Sequence, residues 1–238
     1  MTNFIKYIIL LPLIFGFTND NNSVFKFEKN YKFEIENAEY HYKKIEDELV
    51  KQAKKYSTDS NIISAIIYPE LIRYSMFRDF FETTVLEYFY VEQGSKAANF
   101  SVGMFQIKPS FVEQLEAEVL NNRTINKYKF ITEFKSIEQT EIRKERLSRL
   151  KSTKWQLMYL NCFYSLMETK YPTSYFVDNA DKVKFYATAY NHGFNCTANE
   201  IREWEQKKTF PNGLGSDKQN YCYAEISLYF FNKLTNKL

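Results

Sequence analysis

Glu70 is the carboxylate whose surroundings in the sequence best suit acid chemistry. It closes the run Ile62-Ile63-Ser64-Ala65-Ile66-Ile67-Tyr68-Pro69-Glu70, and Ile66, Ile67, Leu71 and Ile72 flank it. An apolar frame desolvates the charged form of a carboxyl, raises its pKa and lets it hold a proton near neutral pH. A group in that state is a general acid, an effect worth about 10²–10⁴-fold in rate. Pro69 has no N–H for the helical ladder, so the run is expected to kink or restart just before Glu70. Taken alone, a glutamate after an apolar helical run is more often a surface or cleft-edge residue.

Two further segments carry polar groups at spacings that suit a binding cleft. One is Ser101-Val102-Gly103-Met104-Phe105-Gln106-Ile107-Lys108-Pro109-Ser110, and the other is Ala187-Thr188-Ala189-Tyr190-Asn191-His192-Gly193. Each has a plain structural explanation. The first reads as a loop-to-helix junction, with glycine for the turn and proline in the first helical turn. The second reads as a helix C-terminus stopped by glycine.

In order along the chain, the three segments resemble the soluble lytic transglycosylase and goose-type lysozyme group. That pattern has a glutamate ending an apolar helix, then a "GLMQI-x-P" stretch, then "AYN-x-G". The match falls on Glu70, on Gly103, Gln106, Ile107 and Pro109, and on Tyr190 and Asn191; Asn220-Tyr221 takes the place of a tyrosine near the start of the last helix. The resemblance spans about residues 57–238. It implies an all-α, lysozyme-like single domain with a cleft, and cleavage of the MurNAc–GlcNAc β-1,4 bond in peptidoglycan glycan strands. Glu70 is the implied acid. Ser101, Gly103 and Gln106 are expected to line the cleft, with Ser101 and Gln106 orienting the sugar or the acid. Tyr190 and Asn191 are expected to contact the N-acetyl group or ring, and Tyr221 to hydrogen-bond Glu70. Neither cofactor nor metal is implied.

The sequence departs from this pattern in three places. Leu71 stands where the family usually has serine, His192 where a small residue is common, and the stretch from Glu70 to Gly103 is longer than usual. These departures keep open a lysozyme-like module that grips glycan without cutting it. A hydrolase needs a second carboxylate as base or nucleophile, whereas a transglycosylase uses the sugar's own hydroxyl and leaves a 1,6-anhydro product. The long segment offers Glu82, Glu87 and Glu92. A solvated helix face accounts for them better than a catalytic partnership does, which favours the transglycosylase.

The elements that must position these residues are mostly helices. Periodic apolar spacing predicts helices over residues 45–56, 61–74, 80–92, 108–120, 154–168, 181–190 and 221–234. Residues 57–60 supply N-cap side chains, and 94–102 and 206–216 read as loops. Residues 132–150 read as one long solvated helix with i,i+4 charge pairs. Residues 21–40 show no clear period and read as an extended arm. Only 6 glycines and 5 prolines punctuate the chain, which suits helices better than many-turned sheets.

The 238 residues suffice for one large domain. A net charge of +3 is too weak to imply nucleic acid, though it tolerates a mildly anionic polymer. Residues 1–18 have the basic start, apolar run and polar exit of a secretory signal, cleaved or retained as an anchor. Export to the periplasm or cell envelope is therefore expected, with residues 19–56 as an arm and first helix before the domain. Envelope protein partners are left open. Cys196 and Cys222 flank one loop region and invite a disulfide; three buried free thiols, with Cys162, are the equal alternative. With two histidines and no CxxC or HExxH spacing, a zinc site is not expected.

Overall fold

The computed structural model describes residues 21–77, 84–213 and 219–236. The secretory-signal stretch, Glu82 and the segment around Gly215 lie outside the described residues. The protein is predominantly helical. Among the described residues ten α-helices run α1 (Asn21–Asn30), α2 (Lys32–Tyr56), α3 (Ser60–Phe77), α4 (Thr84–Gln93), α5 (Pro109–Asn121), α6 (Gln139–Lys151), α7 (Thr153–Lys170), α8 (Asn179–His192), α9 (Ala198–Glu205) and α10 (Tyr223–Leu234). A two-stranded antiparallel ribbon, β1 (Lys208–Phe210) and β2 (Tyr221–Cys222), precedes the last helix.

The axis of the fold is α3. Asp59 caps it, accepting from the N–H groups of Asn61 (2.9 Å) and Ile62 (3.1 Å), which satisfies donors with no intrahelical partner. Residues 62–72 are then buried with a single break at neither face: Ile62, Ile63, Ile66, Ile67, Tyr68, Leu71 and Ile72 are all enclosed. A helix apolar all round must be covered all round, and α2, α10, α8 and α7 pack around this one. Tyr68 stacks on Phe230 of α10 with centroids 3.7 Å apart. The helix runs through Pro69 without ending.

Several expectations need correction. Residues 21–40 are not an extended arm: α1 and most of α2 occupy them, and Ile35, Ala38, Tyr42, Ile45 and Leu49 of α2 are buried. This stripe advances three or four residues at a time, and aromatic residues within it hide the period. The predicted helix over 132–150 is shorter. Arg123–Thr132 is 3-10 helix, and α6 begins only at Gln139. Nor is its charge merely solvated. Arg146 is buried on the Glu116 carboxylate and the Tyr90 hydroxyl. Arg149 donates to the Ile131 carbonyl and stacks over Trp155. Residues 221–222 are strand, so the last helix starts at Tyr223. Cys162, Cys196 and Cys222 are all free thiols, so the Cys196–Cys222 pair is not formed. The Cys222 thiol instead faces the Gln206 carbonyl at 3.5 Å. Among the described residues no helix is long and apolar enough to cross a membrane.

Candidate functional site

Glu70 sits on α3 with its side chain almost wholly withdrawn from solvent, at 4 % exposure. Burial raises its pKa, and this outweighs the opposing pull of Arg73, of the nearby Tyr223 hydroxyl and of Lys108. Arg73 lies one turn further along α3. Its Nη1 donates to both carboxylate oxygens, at 2.8 and 2.9 Å. The guanidinium also rests over the Phe210 ring of β1, 5.3 Å from its centroid.

A second segment reaches Glu70 through a tight loop. Val102 and Ile107 pair backbone to backbone across it, at 3.0 and 3.1 Å. Gly103 turns it at φ +69°, and a Cβ there would overlap the Gln156 amide and come within 2.9 Å of the Leu150 carbonyl. Gln106 has φ +51°, rare for a residue with a side chain. Two side chains hold the loop in this shape. Gln156 of α7 donates to the Val102 carbonyl (2.7 Å) and accepts from the Phe105 N–H (3.3 Å). Tyr190 of α8 donates its hydroxyl to the Phe105 carbonyl at 2.7 Å. Two neighbouring helices thus over-determine the strained Gln106 backbone, and the Gln106 amide donates to the Gly103 carbonyl at 2.8 Å while lining the Glu70 pocket.

Glu70, Ser101, Gln106, Tyr190 and Asn191 line one pocket, with Arg73 and Lys108 as its cations. Its open volume is about 70 Å³, room for a few water molecules and well below the ~300–1,000 Å³ usual for ligand sites. A larger groove of about 510 Å³ lies between α4 and α6. Its lining carboxylates are Glu87 and Glu92, and Glu87 is paired with Lys151 at 2.8 Å. Among the described residues the larger groove offers half-buried Glu87 and exposed Glu92, whereas the smaller pocket encloses the buried carboxyl of Glu70.

The sequence-selected residues divide as follows. Five of them share the Glu70 pocket. Gly103 shapes the loop rather than lining the pocket. Tyr221 is misplaced: its hydroxyl accepts from Asn30 Nδ2 at 2.9 Å, and its ring packs against Phe27 and Tyr31. Tyr223, not Tyr221, is the tyrosine near Glu70. Tyr221 belongs to the ribbon, whereas Tyr223 starts the helix that packs on α3. Its hydroxyl donates to the Ile66 carbonyl at 3.0 Å, one turn before Glu70, and lies near that carboxyl. His192 turns away and stacks on Trp204, 3.9 Å between centroids.

Arg73, Gln156 and Tyr223 are the residues that reading the sequence misses. Arg73 could have been found from its i,i+3 spacing to Glu70. Gln156 sits inside an amphipathic helix and gives no local signal. Among the described residues no cluster of His, Cys, Asp and Glu suits a metal ion.

Chemically, the pocket presents one buried carboxyl whose proton affinity is raised, hydrogen-bonding groups around it, and an excess of positive charge at its mouth. That arrangement can hold a proton out of water and deliver it to an oxygen atom brought into the pocket. Comparison with protein-family models, with curated proteins and with solved structures finds no match to this chain.

Proposed function

We propose that this protein is a peptidoglycan lytic transglycosylase, exported to the periplasm or cell envelope, that cleaves the MurNAc–GlcNAc β-1,4 bond with Glu70 as its acid and base. The observation that carries the reading is the convergence of Glu70, Ser101, Gln106, Tyr190 and Asn191 on one pocket. Three segments far apart in sequence, selected for their resemblance to a lysozyme-like pattern, supply those five residues. In this reading the neutral Glu70 carboxyl gives its proton to the leaving glycosidic oxygen while positive charge builds on the sugar ring. The carboxylate so formed takes the proton of the C6 hydroxyl as that oxygen closes on C1. The product is the 1,6-anhydro sugar.

The surroundings of Glu70 favour this over hydrolysis. Among the described residues its pocket is lined by no second carboxylate. Glu87 and Glu92 line the separate groove between α4 and α6. A hydrolase would place its second carboxyl about 5–9.5 Å from the first.

The test is mass spectrometry of sacculi digested with wild-type protein and with Glu70→Gln. Wild type should release glycans with 1,6-anhydro ends. Glu70→Gln should stay folded and bind sacculi, with cutting reduced by about 10²–10⁴-fold or more. Reducing ends would indicate a hydrolase. Binding of sacculi by folded wild type with nothing released would indicate a glycan-gripping module.

A further inference from the structure

The Arg73–Glu70 pair poses a problem for acid chemistry. A general acid must carry a proton, yet this carboxyl is met by a guanidinium that favours its charged form. The Arg73 fork is only partly used. Nη1 serves both Glu70 oxygens, while Nε is enclosed without a hydrogen-bond partner. An unsatisfied buried donor on a charged group is costly. The side chain is nonetheless 21 % exposed, against 5 % for Glu70, so its head reaches the pocket mouth. Lys108 lies beside it, exposed and in no ion pair among the described residues. One carboxylate against two cations leaves the mouth positive, and the pocket in this state is too small for a sugar ring.

Resting on the reading proposed above, we infer that Arg73 is the anion-binding residue of the cleft: a carboxylate on the incoming glycan competes with Glu70 for its guanidinium and draws it away. Planar, bidentate pairing is what a guanidinium offers a carboxylate. The resting pair uses one nitrogen, so a forked contact to substrate improves on it. Departure of the Arg73 head also widens the pocket. Glu70 is then buried with its counter-charge gone.

The remaining groups that face Glu70 are Tyr223 from α10, Tyr190 from α8 and Lys108 before α5. Burial pushes both tyrosines upward, so they stay neutral. Lys108 is exposed, and solvent screens its charge. Loss of the counter-charge raises the proton affinity of Glu70 further, so substrate binding draws a proton from water onto the carboxyl and the acid is most fully protonated in the complex. The carboxylate that does this has two sources in such a glycan, the lactyl group of peptide-free MurNAc and the carboxylates of a stem peptide.

The test is calorimetric binding with tetrasaccharides in which sulfur replaces the glycosidic oxygen, so that nothing is cut. Three probes are used: a chitin tetrasaccharide with no carboxylate, a GlcNAc–MurNAc tetrasaccharide with free lactyl groups, and the same glycan carrying stem peptides. Wild type should bind at least one charged probe about 10–100-fold tighter than the chitin probe. The charged probe that shows this identifies the source. Titrations in buffers of different ionisation enthalpy should show uptake of up to about one proton with that probe and none with chitin. Arg73→Gln should erase both the preference and the uptake. Arg73→Lys keeps the charge without the fork and should retain part of the preference, which covers failure of the first variant to fold. Equal affinity for all three probes, a preference that survives in folded Arg73→Gln, or charged binding without proton uptake would each overturn the inference. If sacculi are still cut with dependence on Glu70 in those cases, the proposed function stands. If folded wild type neither binds the probes nor cuts sacculi, both fall.

Discussion

At Glu70, burial and pairing oppose each other, and the balance has a measurable consequence. The folded-state pKa is raised above the unfolded value because burial outweighs Arg73. Between the two values the folded protein binds more protons than the unfolded chain, so this group's contribution to stability is complete below the ordinary carboxylate range and is lost as pH rises through the folded pKa. Glu70→Gln has no such proton. The stability of wild type relative to Glu70→Gln should therefore fall as pH rises above the ordinary carboxylate pKa, by at most about 1.4 kcal/mol per pH unit. Melting curves of the two proteins between acid and neutral pH check it, and a difference independent of pH would mean that Glu70 is not perturbed. Tyr223→Phe makes a second test at this scale. It removes the hydroxyl from the Ile66 carbonyl and from Glu70. A loss of about 1–3 kcal/mol in stability is expected, since a buried carbonyl is left without this donor. Tyr221→Phe should leave cutting of sacculi nearly unchanged, because that hydroxyl meets Asn30 outside the pocket.

The elements matter most at the loop over residues 102–107. Gln156 bridges its two sides, so Gln156→Leu strips the Phe105 N–H of its acceptor, while the Val102 carbonyl keeps the Ile107 N–H. The expected cost is about 1–3 kcal/mol for that unsatisfied donor, with Gln106 released from its left-handed backbone. Thermal unfolding gives the stability, and glycan affinity gives the effect on the pocket. An unchanged affinity would show that the loop does not need Gln156. This loop also marks how far the sequence could be read. Gly103, Gln106 and Pro109 stand out by type and spacing, because a turn glycine and a first-turn proline have local causes. Gln156 does not, because its role exists only once α7 is laid against the loop. The same distinction separates Tyr221 from Tyr223. Both lie at the start of the last apolar run, and only the ribbon between β1 and β2 decides which one crosses α3. The buried pairing of Arg146 with Glu116 was invisible for a related reason. A run of charges looks the same whether solvent or a helix from elsewhere faces it. By contrast, the helices α3, α5, α7 and α8 were legible because their apolar spacing and their stop and start residues, such as Asp59 before α3 and Pro109 in α5, are local. The Thr197–Glu200 capping box at α9 was equally available as a spacing.

Across the whole molecule, the N-terminal helix is tied to the pocket through a chain of aromatic contacts. Phe27 of α1 is buried at 3 % exposure and meets both Phe210 of β1 and Tyr221 of β2, with ring centroids 6.4 and 5.0 Å apart. Tyr31, which follows α1, packs on the same two rings. Asn30 donates to the Tyr221 hydroxyl. Phe210 in turn carries the Arg73 guanidinium on its face, and Arg73 holds Glu70. The segment that the sequence presents as an arm thus braces the ribbon on which the pocket's arginine rests. Phe27→Ala should remove about 3–5 kcal/mol of stability, as expected for a large buried aromatic. It should also loosen the platform beneath Arg73. Denaturant unfolding measures the first effect. For the second, the variant's glycan affinity should change under conditions where it is still fully folded, whereas a cavity confined to α1 would leave affinity as in wild type. If Phe27→Ala costs less than ~0.5 kcal/mol, the range of a plain surface substitution, α1 is not part of the folded body in solution and the link from arm to pocket is broken.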